Sequence, residues 1–182
     1  MGIGGWRHSL TASWRDTPPR RSCAPVRHPF WHEEKRRDGV TKRLGAAAVI
    51  EDDAGRVLLV KHTYGRMNWE LPGGDAEPGE SIVATVEREV RKETGLTIIA
   101  EGLTGIYFDD QLDLHFFVFR CQQIDPSAIP SPSGPEIADC AFWSPDALPR
   151  PMHDLTIQRI ADALSGAIGP LPVVARPRHW LT

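Results

Sequence analysis

The run Gly74-Asp75-Ala76-Glu77-Pro78-Gly79-Glu80, continuing to Arg88-Glu89-Val90-Arg91-Lys92-Glu93-Thr94-Gly95-Leu96, constrains this chain more than any other stretch. It reads as a glycine loop opening into a helix with both ends marked. Ser81 is placed to cap the N-terminus and Gly95 to end the helix where a positive φ is tolerated, so the pattern predicts a helix over Ile82 to Thr94. With about 100° between residues and Ile82 at zero, Val86 falls at about 40°, Val90 at about 80° and Val83 at about 100°. Glu89 falls at about −20° and Glu93 at about +20°, one turn apart along the edge of the apolar face. Ala84, Glu87 and Arg91 project the other way. Two carboxylates therefore turn toward the protein body, where an uncompensated charge is costly. A divalent cation would compensate, because hard Mg²⁺ and Mn²⁺ prefer oxygen ligands. Ion pairs with basic residues such as Arg88 or Arg43 would also serve. Gly73-Gly74 allows close backbone approach, its carbonyls can ligate a metal, and amides at a helix start favour phosphate.

The flanking sequence supplies strands. Leu44 to Ile50 is an apolar run of strand length, Asp52-Asp53-Ala54-Gly55 is a turn signal, and Arg56 to Lys61 is a second strand, together a predicted hairpin. Trp69 to Gly74 leads into the loop. Leu96 to Ala100, Gly105 to Phe108, Leu114 to Arg120 and Ile137 to Trp143 are further strands. Leu155, Ile157, Ile160, Ala161 and Leu164 have helical spacing. Strands alternating with two helices imply a mixed α/β layered domain, begun at about Thr41. The partition expected is a basic extension over 1–40, the domain over 41–168 and a Pro-rich tail over 169–182.

Composition excludes some classes. No apolar run approaches the roughly 20 residues that span a bilayer, so no membrane association is expected. The N-terminus lacks an apolar h-region, and no apolar stretch follows Arg20-Arg21 as a twin-arginine signal requires. Cys23, Cys121 and Cys140 have wide spacing without a zinc or disulfide pattern, which fits a reducing cytoplasm. From Met1 to Arg43 there are ten Lys/Arg against four Asp/Glu, leaving −9 on the remainder of a chain of net charge −3. Such an arm can meet nucleic acid, but without periodicity it reads more simply as a solvated extension.

Written as a pattern, the opening run is G-x5-E-x7-R-E-V-x-K-E-x-G-L. It resembles the box of the Nudix hydrolases, G-x5-E-x7-R-E-U-x-E-E-x-G-U with U aliphatic, at eight of nine specified positions. The resemblance covers roughly Leu44 to Leu164. It implies an α/β/α sandwich around a mixed β-sheet, and MutT-like hydrolysis of a nucleoside diphosphate linked to another moiety. Carried over by position, it implies Glu89, Glu93 and the Gly73 carbonyl as ligands of Mg²⁺ or Mn²⁺. It further implies catalytic roles for Glu89, Glu93, Arg88 and Glu80, with Glu80 and Arg88 paired to fix the loop on the helix. The partner implied is a nucleotide-type small molecule, and a homodimer is left open.

Lys92 departs from the pattern, standing where the box has a glutamate. At about −80° it flanks Glu89. A lysine cannot ligate a cation. It can pair with Glu89 and weaken metal binding, or meet a substrate phosphate, and the alternative to an active hydrolase is a catalytically weakened nucleotide-binding or sensor module. Asp109, Asp110, Asp113 and Glu136 are candidates to replace the missing carboxylate. Trp69, Tyr107 and Phe108 are candidates to stack a base, and Arg56, Lys61 and Arg66 to meet phosphates. Of these, Arg56 and Trp69 join Lys92 as the expected substrate-binding residues. His115 reads as structural. A proline or tyrosine that would mark particular Nudix subgroups is missing around Gln111 to Asp113, so the substrate is not selected.

Overall fold

A computed structural model describes residues 42–110, 112–166, 172–174 and 180–181. The basic extension, Cys23 and most of the Pro-rich tail lie outside the described residues. In chain order the elements are β1 (Arg43–Ile50), β2 (Val57–His62), β3 (Trp69–Glu70), β4 (Gly73–Asp75), α1 (Ile82–Thr94), β5 (Ile98–Asp109), β6 (Leu114–Gln123), β7 (Ile137–Trp143), β8 (Met152–His153), α2 (Asp154–Leu164), β9 (Pro172–Val174) and β10 (Trp180–Leu181).

The strands form two mixed sheets, ordered β4-β1-β6-β5-β9 and β10-β8-β3-β2-β7. β1 and β6 run parallel, as do β3 and β8, whereas β1 and β4 are antiparallel. The expected hairpin is thus corrected. β1 and β2 share a turn, but they belong to different sheets and are bridged by the single pair Glu51–Val57. The physical reason is that both strands are buried on both faces, so neither can offer a solvated side as a surface hairpin does. Ala46, Ala48 and Ile50 face Val86 and Val90 of α1, while Ala47 and Val49 face Ile160 and Ala163 of α2. A strand apolar from Ala46 to Ile50 with a helix over each face gives the α/β/α layering. The two strand segments after α1 merge into the single β5, which keeps pairing with β6 through two register shifts.

The ends of α1 form as the sequence predicts. Ser81 Oγ accepts the Ala84 N–H at 3.1 Å, and Gly95 takes a φ of 72° while its N–H donates to the Arg91 carbonyl. Ser81→Ala is therefore expected to cost about 1 kcal/mol, measured as a lower urea midpoint at unchanged m-value.

Candidate active site

The glycine pair is a strand before it is a loop. β4 pairs along the first half of β1, with Gly73 opposite Ala47 and Gly74 opposite Ala46. A Cβ on Gly73 would lie 2.2 Å from the Ala46 carbonyl oxygen, so no side chain fits there. At Gly74 a Cβ would meet the Glu89 carboxyl carbon at 2.9 Å. The second glycine is thus a space kept for a carboxylate. In an antiparallel ladder alternate residues turn their backbone groups away from the partner strand. The Ala48 N–H donates to the Pro72 carbonyl, which puts Gly73 at such an outward position. Its N–H donates instead to Glu93 Oε2 at 2.9 Å.

Glu89 and Glu93 are each 5% exposed, on the inward edge of α1. Their situations differ. Glu89 accepts from Arg88 Nη1 through one oxygen and from Lys92 Nζ at 3.3 Å through the other. Glu93 has the Gly73 N–H as its contact, and burial, reinforced by the neighbouring Glu89 charge, pushes its carboxyl up to about 8. Ion pairing with Arg88 and Lys92 therefore accounts for Glu89, whereas Glu93 forms no ion pair among the described residues. Arg43 goes elsewhere, to Asp75.

Arg88 forks onto Glu80, with Nε to Oε1 at 2.7 Å and Nη2 to Oε2 at 2.8 Å, and also donates to the Asp75 carbonyl at 3.1 Å. Glu80 additionally accepts the Glu77 N–H and the Thr85 hydroxyl. The Arg88 guanidinium holds Glu80 down at about 2, so this clamp between loop and helix stays ionised across the working pH range.

Lys92 bridges two carboxylates, Glu89 Oε2 at 3.3 Å and Glu136 Oε2 at 3.0 Å. Its pKa is raised, first by Glu136. Of the acids outside the box, Glu136 is thus brought to α1, whereas Asp113 pairs with Lys42 and Asp109 accepts the Leu112 N–H. Among the described residues no set of three His, Cys, Asp or Glu side chains forms a ready-made metal cage.

A cleft of about 500 Å³ opens beside Gly73 and Gly74, lined by the β2–β3 connection, Phe116 of β6 and Arg159 of α2. Two expected substrate contacts lie apart from this cleft. Trp69 is 5% exposed and packs edge-on against Trp143 with centroids 5.4 Å apart, so its ring fills the core and offers no stacking face. Arg56 is paired to Asp52 within the β1–β2 turn and does not line the cleft. Tyr107 is likewise core, its hydroxyl donating to Asp162 at 2.6 Å. Burial pushes the Cys121 thiol up to about 12 and Cys140 up to about 11, which removes both as nucleophiles.

The cleft residues that local pattern did not reveal come from distant segments. Arg159 lies over the Phe116 ring at 4.6 Å and within 3.8 Å of Glu70 Oε1, which also accepts the Thr156 hydroxyl. Arg159 is the single arginine of α2, set beside the apolar Ile160, and its aromatic partner is 43 positions away in sequence.

The Glu93 carboxyl makes a pH signature. Its folded pKa of about 8 lies above the ordinary 4.5. The folded protein then holds a proton that the unfolded chain has already released. The resulting stability is fully present below about pH 4.5 and is lost as pH rises to about 8, by up to roughly 1.4 kcal/mol per pH unit. Metal-free unfolding midpoints between pH 5 and 8 should fall more steeply for the wild type than for Glu93→Gln. Parallel curves would contradict the assignment.

An α/β/α sandwich with a glycine strand laid against a carboxylate-edged helix defines the class of domain that the box implies. The NUDIX domain model matches residues 41–164, and the chain belongs to that family. A MutT-like protein of Streptomyces ambofaciens is 33% identical over 127 residues, covering 70% of this chain and 79% of that protein. The 8-oxo-dGDP phosphatase of Homo sapiens is 39% identical over 107 residues, which are 58% of this chain but 29% of the human protein. Among solved structures, a NUDIX hydrolase from Nitrosomonas europaea superposes with a TM-score of 0.58 at 33% identity, over 72% of this chain and 94% of that one. Among the described residues no helix is long and apolar enough to cross a membrane.

Proposed function

We propose that the chain hydrolyses a pyrophosphate bond in a nucleoside diphosphate linked to a second moiety, using a divalent cation. The observation that carries this reading is Glu93, a carboxylate 5% exposed that accepts the Gly73 N–H and forms no ion pair among the described residues. Oxygen donors fit a hard cation, and the donors at hand are the Glu89 and Glu93 carboxylates and the outward Gly73 carbonyl. When bound, Mg²⁺ or Mn²⁺ lowers the pKa of water and offsets charge on the phosphoryl oxygens.

The chain's own residues do the rest. One carboxylate of the site takes the proton of the attacking water or orients it, as a positioned carboxylate can. The Arg88–Glu80 clamp holds β4 and the loop against α1, as groups behind a metal site commonly do. Water adds to one phosphorus, the bridging oxygen leaves with the other phosphoryl group, and the products are a nucleoside monophosphate and phospho-X. Relatives named for 8-oxo-dGDP, ADP-ribose and UDP-X support this class of substrate and favour no single member.

One observation favours a second reading. Both oxygens of Glu89 already meet cationic side chains, as expected of a module that binds nucleotides with little turnover. A panel of nucleoside diphosphate derivatives, incubated with Mg²⁺ or Mn²⁺ and with EDTA, separates the two. Cleavage that EDTA abolishes supports the hydrolase; saturable binding with no cleavage supports the module.

A further inference from the structure

The cleft has an aromatic wall that Trp69 does not supply. Tyr64 lies in the β2–β3 connection, lines the cleft together with Gly73 and Gly74, and is 56% exposed. One face of its ring is covered. His62 stacks on it with centroids 4.7 Å apart and planes 13° from parallel. Burial holds His62 below its ordinary pKa, so the stack is between neutral rings at physiological pH.

The connection that carries Tyr64 is fixed in place. The His62 N–H donates to the Asn68 carbonyl at 3.0 Å and the Met67 N–H to the Tyr64 carbonyl at 2.9 Å. The reversal uses Gly65 at φ 61° and Met67 at φ 50°. Thr63 ties the connection sideways to the segment before β7, through its N–H to the Glu136 carbonyl at 2.9 Å and its hydroxyl to the Pro135 carbonyl at 2.8 Å. The Glu136 side chain in turn meets Lys92 of α1. Tyr64 is therefore tied through Thr63 and Glu136 to the carboxylate edge, and Glu93, Lys92 and Glu136 all act on its hydroxyl electrostatically.

We propose that Tyr64 is the nucleobase platform of this site, stacking the base of a nucleotide whose phosphates meet the Gly73–Glu93 edge. The proposal rests on the pyrophosphate reading of that edge. An exposed ring already braced on one side loses little freedom when a base covers the other. Stacking on an aromatic side chain tolerates any base, because every base has a π-face. The platform accordingly selects nucleotides over sugar phosphates while discriminating weakly among bases.

The test is calorimetric titration of the full chain, with Mg²⁺ present, by GMP, UMP and ribose 5-phosphate. Wild type should bind both nucleotides about tenfold or more tighter than ribose 5-phosphate. Tyr64→Ala should bring all three within about twofold, and Tyr64→Trp should restore the preference. Because the residue is exposed, the thermal midpoint should not move in either variant. A preference that survives Tyr64→Ala, or a wild type without one, would overturn the proposal. Loss of the preference in Tyr64→Ala in a protein that cleaves no nucleoside diphosphate derivative would retain the platform and remove the hydrolase reading instead.

Discussion

Glu93→Gln is expected to lower kcat/KM for pyrophosphate cleavage by about three orders of magnitude and to leave the fold intact. The two effects separate because the substitution is nearly isosteric. A glutamine oxygen can still accept the Gly73 N–H that Glu93 Oε2 accepts at 2.9 Å, so β4 stays seated on α1. What disappears is the charge. In the wild type that charge is disfavoured by burial, which pushes the carboxyl up to about 8. A neutral amide removes the burial penalty along with the capacity to hold a cation or take a proton. The variant should therefore melt no earlier than the wild type at pH 8 while losing nearly all turnover. Steady-state rates and thermal melts on the same sample check both halves. A variant with wild-type turnover would show that the catalytic carboxylate lies elsewhere, and one that fails to fold would show that the ionised group is needed by β4.

Lys92→Glu is expected to tighten Mn²⁺ binding by about ten- to a hundredfold and to destabilise the metal-free protein. Lys92 sits between Glu89 Oε2 and Glu136 Oε2, at 3.3 and 3.0 Å, and so supplies a positive charge where a cation would otherwise be drawn. Reversing it gathers three carboxylates at one place. Without metal they repel; with metal they become oxygen donors. Titration followed by Mn²⁺ paramagnetic resonance, with melts in EDTA and in excess Mn²⁺, reads both effects. Unchanged affinity would mean that Lys92 is a surface ion pair with no bearing on the site. The turnover of the same variant separates its roles. A rise marks Lys92 as a weakened ligand position, and a collapse marks it as a substrate contact.

The parts legible in the sequence were those set by short-range rules. α1 runs between a serine cap and a left-handed glycine, and its helical period alone turns Glu89 and Glu93 inward. β7 and α2 follow from apolar spacing alone. What escaped was decided by partners distant in sequence. The turn between β1 and β2 read as a hairpin because a turn signal does not say which sheet each strand joins. Trp69 read as a ligand platform because an aromatic beside a glycine loop has no local sign of burial; only the β2 and β7 strands brought against it make it core. Tyr64 carried no pattern at all. Its position depends on Thr63 reaching the backbone of Pro135 and Glu136. Gly74 was legible as a glycine of the box, but its reason, room for the Glu89 carboxylate, required α1 and β4 to be packed together.

The central proposal is that a cation held at Glu89, Glu93 and Gly73 drives cleavage of a pyrophosphate. Phosphorus resonance spectra of the full chain with Mg²⁺ and nucleoside diphosphate derivatives follow that reaction directly. The expected result is paired growth of a nucleoside monophosphate and phospho-X, stopped by EDTA and by Glu93→Gln. Intact substrates throughout the series, or cleavage that continues undiminished in Glu93→Gln, would contradict it.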